Sequence, residues 1–87
     1  IMPVVSFFHG IKILMYTREH TPIHFHVSYA EYRAVILIND LSIDEGHLPP
    51  KIYKIVKRWA EAKKEEIIAN WYSLNTKGNF LPISPLD

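Results

Sequence analysis

The sequence predicts an α+β fold: an antiparallel sheet of four to five strands, packed on one face by a single long C-terminal helix. Three observations predict it. The first half is a series of short runs rich in Val, Ile, Phe and Tyr, broken by turn residues. After Pro49-Pro50 the apolar spacing changes from two to three and four. The 87 residues hold no linker, repeat or low-complexity tract, so residues 2–87 are expected to form one domain starting naturally at Met2.

The strand-like runs are 4–8 (VVSFF), 11–18 (IKILMYTR), 24–29 (HFHVSY) and 32–38 (YRAVILI), with a short fifth near 41–44. His9-Gly10 separates the first two, and Gly supplies the positive φ that a two-residue hairpin turn needs. Ala30-Glu31 separates the third and fourth at the same spacing. Glu19-His20-Thr21-Pro22 is a Pro-containing connection, and Asn39-Asp40 turns the chain towards the fifth strand. The helix is expected over 50–74, with apolar residues at Ile52, Ile55, Val56, Trp59, Ala62, Ile67, Trp71 and Leu74. Proline suits the first turn, where its missing N–H has no partner to lose, and Gly78 lies just past the end. Residues 79–87 form a Pro-punctuated, extended tail.

Alternation sorts the sheet faces. With Ala30-Glu31 as the turn, Tyr29 faces Tyr32, Val27 faces Ala34 and Phe25 faces Ile36, an apolar floor for the helix. The reverse side pairs Ser28 with Arg33, His26 with Val35 and His24 with Leu37. In the first hairpin, Ile11, Ile13 and Met15 go with Phe8, Ser6 and Val4, while Lys12, Leu14, Tyr16 and Arg18 go with Phe7 and Val5. Aligning the two apolar sides collects Lys12, Tyr16, Arg18, His24, His26, Ser28 and Arg33 on a face the helix leaves open. Phe7, Leu14, Val35 and Leu37 share it.

Composition narrows the function. A net charge of +1 does not by itself announce nucleic-acid binding. No cysteine is present, so a metal site would need His and carboxylate ligands. No secretory signal or apolar run of membrane-spanning length is visible, which makes the cytoplasm the expected location and a membrane no partner. Lys51, Lys54, Lys57 and Arg58 crowd the helix N-terminal half, where the macrodipole disfavours cations; a solvated face explains them better than phosphate attraction does.

The open face suggests ribonuclease chemistry. RNA cleavage removes a 2′-OH proton, stabilises a pentacovalent phosphate and protonates the leaving oxygen. Imidazoles can do the proton work, and Lys or Arg offsets the developing charge. His24 and His26 are then the candidate acid and base of a metal-independent endoribonuclease without cofactor, Lys12, Arg18 and Arg33 the phosphate contacts, and Tyr16 a stacking platform. A second reading is a metal site from His20-x3-His24-x-His26 with Glu19 alongside. A third is a non-enzymatic interaction module that uses the same face for a partner or a homodimer. Plain polar strand residues would produce the same histidine spacing.

The segments MPVVSFFHGIKILMY, TPIHFHVSYAEYRAVI and EGHLPPKIYKIVKRWAEAKKEEIIANW closely resemble short bacterial proteins grouped as domain of unknown function 4160. The likeness spans residues 2 to about 74, and its most specific element is Pro-x-His-Phe-His-Val at Pro22 to Val27, followed by Tyr29 and Glu31. Where such sequences usually have Gly before that Glu, this one has Ala30. The resemblance implies a toxin-like protein encoded beside a small antitoxin-like partner. It carries over no catalytic residue, only the motif positions His24, Phe25, His26 and Val27.

Overall fold

The computed structural model describes residues 3–86; the expected start at Met2 and the last tail residue, Asp87, lie outside the described residues. Five strands run Val4–Phe8 (β1), Ile11–Leu14 (β2), His24–Tyr29 (β3), Tyr32–Leu37 (β4) and Ile43–Gly46 (β5). They form one antiparallel sheet in chain order, each hydrogen-bonded to the next. Two helices follow, Pro50–Ala62 (α1) and Lys64–Thr76 (α2). The α+β class therefore stands, and the single long helix does not.

The break between the helices falls at Lys63 (φ −109°, ψ 17°). Lys63 lies four residues after Trp59 and four before Ile67, both buried, so it occupies a position on the apolar stripe. An ammonium group cannot enter a dry core without a partner. Lys63 is instead half-buried, with its Nζ donating to Ser84 Oγ at 3.2 Å. Ala62, expected on the stripe, is exposed, and Ala60 is buried instead.

The β3–β4 register is the one expected, from His24 opposite Leu37 to Tyr29 opposite Tyr32. The turn between them places Ala30 at φ 50°, a glycine-type conformation. At the other hairpin His9 (φ 52°) and Gly10 (φ 74°) both take positive φ, as a type I′ turn requires. Strand β1 departs from simple alternation. A bulge between Val4 and Ser6 turns Val5 into the core at 1% exposure and leaves Val4 opposite Leu14, exchanging the expected faces of the two valines. Strand β2 ends at Leu14 rather than at Arg18, and β5 begins two residues later than expected.

From the sheet, Val5, Phe8, Ile11, Ile13, Phe25, Val27, Ala34 and Ile36 enter the core, against Val56 and Trp59 of α1 and Ile67 and Trp71 of α2 among others. Burying each Val, Ile or Phe side chain among them contributes about 1.5–3 kcal/mol. Lys51, Lys54 and Arg58 are exposed, and Lys57 lies over the Tyr53 ring at 4.3 Å, so α1's cations form a solvated face.

The tail after α2 is fastened to the body. Buried Asn70 donates through Nδ2 to Leu81 O (2.8 Å) and accepts from Leu81 N–H (2.9 Å), imitating a strand pairing. Trp59 Nε1 donates to Ser84 O, and Ile83 N–H donates to Val5 O at 2.7 Å. Ile83 itself is buried. Among the described residues, no helix is long and apolar enough to cross a membrane.

Candidate functional site

Residues 15–23 connect β2 to β3 across one end of the sheet, close to α2. The Glu19 backbone N–H donates to Asn75 Oδ1 at 2.9 Å, which fixes this connection to the helix. Pro22 follows a cis peptide bond and presents its carbonyl to His24 Nδ1 at 2.8 Å. A carbonyl oxygen only accepts, so His24 Nδ1 carries the proton and Nε2 points elsewhere. It points at Glu19 Oε1, 3.4 Å away.

His26 reaches the same oxygen. Its Nε2 stands 2.6 Å from Glu19 Oε1, a short imidazole–carboxylate hydrogen bond. Alternation on β3 puts both histidines on the face away from Phe25 and Val27, with ring centroids 5.3 Å apart. Tyr16 meets the His26 ring edge to face at 4.5 Å, and Trp71 of α2 meets the His24 ring at 5.0 Å. The side chains of His24, His26 and Glu19 are 14%, 28% and 25% exposed, so packing restrains the cluster while solvent still reaches it.

Two depressions adjoin it. One, with a volume of about 310 Å³, is lined by Lys12, Tyr16, His26, Ser28, Arg33 and Glu45 among others. The second also measures about 310 Å³ and is lined by Glu19, His20, His24, His26, Asp44 and Glu45, with Thr21, Pro22, Val35 and Leu37. The open face is thus mixed in charge: cationic around Lys12 and Arg33, acidic where β5 and Glu19 border the histidines. Sequence reasoning read this face as cationic, partly aromatic and shared by apolar residues, and assigned to it no residue of the short fifth strand expected near 41–44. The shift to Ile43–Gly46 sets Glu45 opposite Val35 on the histidine side.

The structure brings together His24, His26, Tyr16, Lys12 and Arg33 around these depressions. Arg18 is elsewhere. With β2 finished at Leu14, alternation no longer directs it, and it is exposed at φ 60° beside Leu74–Gly78. Leu14 is buried at 4% exposure and Val35 and Leu37 are half-buried, so on this side the exposed apolar surface is concentrated at Val4 and Phe7 of the outer strand. Glu19 is more central than its sequence position beside the histidines suggested. Asn75 and Trp71 had no local signal, because their part depends on where α2 lies.

A family model described as "Domain of unknown function (DUF4160)" matches residues 10–72. The chain belongs to this family. The match takes in the sheet from Gly10 onward, the Glu19–His24–His26 cluster, α1 and most of α2. No curated protein and no solved structure matches the chain. Family membership thus sets the cluster in a shared domain and leaves its chemistry to be argued from the residues of this DUF4160 protein.

Proposed function

We propose that this DUF4160 chain is the toxin-like member of a bacterial toxin–antitoxin pair, and that its open sheet face takes RNA and cleaves it at the histidine cluster. The observation that supports this reading is the adjacency of two unlike features. The Glu19–His24–His26 cluster borders a cavity of about 310 Å³ that carries the exposed cations Lys12 and Arg33. Lysine and arginine give charge-assisted hydrogen bonds to phosphate oxygens, and Tyr16 offers ring surface to a base. His26 lines the cavity itself, so a phosphodiester held by Lys12 and Arg33 comes to the cluster's edge.

The two rings converge on one carboxylate oxygen rather than standing on opposite sides of a gap. His24 and His26 then reach a bound phosphodiester from the same side, one as base taking the 2′-OH proton and the other as acid protonating the leaving oxygen. The test is cleavage of structured and unstructured RNA by the purified chain, compared with His24→Ala, His26→Ala and a Lys12→Ala/Arg33→Ala variant. Expected are cleavage by the native chain, loss of cleavage with retained binding in the histidine variants, and weakened binding in the double variant. Absence of both RNA binding and cleavage in the native chain defeats the reading.

A non-enzymatic interaction module is favoured by a different observation. Phe7 is 59% exposed and Val4 41% exposed on the outer strand, β1. Large apolar side chains left in water mark contact surfaces more often than catalytic ones. On this reading the antitoxin-like partner, or a second copy, covers β1. Co-purification with the partner would then be lost in Phe7→Ser and kept in the histidine variants.

A further inference from the structure

We infer that Glu19, His24 and His26 form a binding site for a divalent first-row metal ion of the zinc type. One carboxylate oxygen and two imidazole nitrogens lie within 4.8 Å of one another. Zinc accepts this donor set, two histidines and a carboxylate, with bonds of about 2.0–2.2 Å. Tetrahedral geometry then places neighbouring donors about 3.3–3.5 Å apart. The His24 Nε2 to Glu19 Oε1 separation is already 3.4 Å. The His26 contact, at 2.6 Å, opens by less than an ångström's side-chain rotation to admit the ion.

The hydrogen-bond pattern points the same way. Pro22 O holds a proton on His24 Nδ1, which leaves Nε2, aimed at a carboxylate oxygen, as the ring atom that can meet an ion. At 3.4 Å the two atoms stand beyond the ordinary N–H···O range of about 2.7–3.2 Å, which leaves room for an ion between them. A metal ion there accepts an electron pair from each. The ring's other nitrogen on a backbone carbonyl is the usual support for a metal-bound histidine, because it sets tautomer and orientation together. Glu19 has its own support, through its N–H on Asn75 Oδ1.

The surroundings suit a cation as well. The depression that contains all three donors also carries Asp44 and Glu45, and neither lysine nor arginine lines it. Three protein ligands leave a fourth position open towards that depression, where water completes the shell, as in catalytic rather than closed structural zinc sites. The expectation of a metal-independent enzyme is replaced on this inference. The ion site itself does not depend on RNA being the substrate.

The test uses the intact chain, freed of metal by dialysis against a chelator and titrated with ZnCl₂ by calorimetry. CoCl₂ serves as the spectroscopic probe, since tetrahedral cobalt has intense visible bands. Expected is one equivalent of Zn²⁺ per chain, with affinity lowered by about 100-fold or more in Glu19→Gln, His24→Ala and His26→Ala. His47→Ala, at an exposed loop position, should bind as the native chain does. Glu19→Gln keeps side-chain volume, and an unchanged helical circular dichroism spectrum separates lost ligation from unfolding. Failure of the native chain to take up one equivalent, or native-like binding by Glu19→Gln together with both histidine variants, overturns the site. Zinc uptake without RNA cleavage leaves the site standing and counts only against the proposed substrate.

Discussion

Asn75 holds the backbone of Glu19: the Glu19 N–H donates to Asn75 Oδ1 at 2.9 Å across 56 positions of sequence, while Asn75 Nδ2 donates to Trp71 O. The second bond orients the amide so that its oxygen faces the connection between β2 and β3. The carboxylate at the centre of the histidine cluster is therefore set by α2, which supplies none of the cluster's three donors. Asn75→Ala should cost about 1 kcal/mol of stability through the lost bond. Its more specific signature is faster amide hydrogen exchange at Glu19. Unchanged protection there would show that the connection is held by other contacts.

Gly46 ends β5 at φ 84°, and a Cβ on it would meet Arg33 O at 2.0 Å. Backbone atoms fixed in a sheet cannot yield that far. Gly46→Ala combines the clash with positive-φ strain, and we expect a loss of about 3 kcal/mol or more in urea unfolding. Because Glu45 precedes it on the open face, the same change should disturb the cavity lined by Lys12 and Arg33.

Ala30 is the opposite case. Its φ of 50° lies in the left-handed region, which costs an L-residue about 1–2 kcal/mol and glycine little. Glycine's extra freedom when unfolded returns about 0.5–1 kcal/mol of that. Ala30→Gly should raise the unfolding free energy by the remainder, about 0.5–1 kcal/mol, seen as a higher urea midpoint with the same dependence on denaturant.

Asp40 gives a pH dependence of known sign. The Ser42 hydroxyl donates to its Oδ1 at 2.7 Å and the Ser42 N–H to the same atom at 3.0 Å, bonds that favour the carboxylate and hold the carboxyl below its ordinary 3.8. A folded pKa below the unfolded one stabilises above the unfolded value and loses that effect as pH falls through the folded one. The stability difference between the native chain and Asp40→Asn should accordingly be full above pH 3.8 and vanish in stronger acid. A difference that grows on acidification would contradict the assignment.

RNA binding through Lys12 and Arg33 should show in salt dependence. Each phosphate neutralised on a single strand contributes about 0.7 to the slope of log affinity against log salt. The Lys12→Ala/Arg33→Ala variant should therefore have a slope smaller by about 1.4. An Arg18→Ala variant should keep the native slope, because Arg18 lies beside Leu74–Gly78 instead.

Much of the sheet was legible because its strands alternate cleanly. His24 and His26 share a face for the same reason that Phe25 and Val27 share the other, and the β3–β4 pairing followed from a two-residue turn. What escaped lies where alternation stops. The VVSFF run contains no mark of the bulge that turns Val5 inward, since either valine suits the core. Arg18 was assigned to a strand that ends four residues earlier, at Leu14. The helix break was present only as Lys63 on an apolar stripe, which a long helix can carry by extending the side chain to solvent. At the site, the histidines could be paired from spacing. The contribution of Asn75 and the contact of Trp71 with His24 arise from tertiary placement, and local sequence does not encode that.

The bond from Ile83 to Val5 has a consequence for how the protein behaves in a crowd of its own copies. Val5, turned by the bulge, offers its carbonyl on the rim of the outer strand, and the chain's last segment occupies that acceptor. Uncovered strand rims recruit further strands, so this clasp blunts a route to aggregation. A form shortened after Asn79 would lose it, along with the Asn70–Leu81 pairing. Light scattering should then rise with concentration where the full chain stays dispersed.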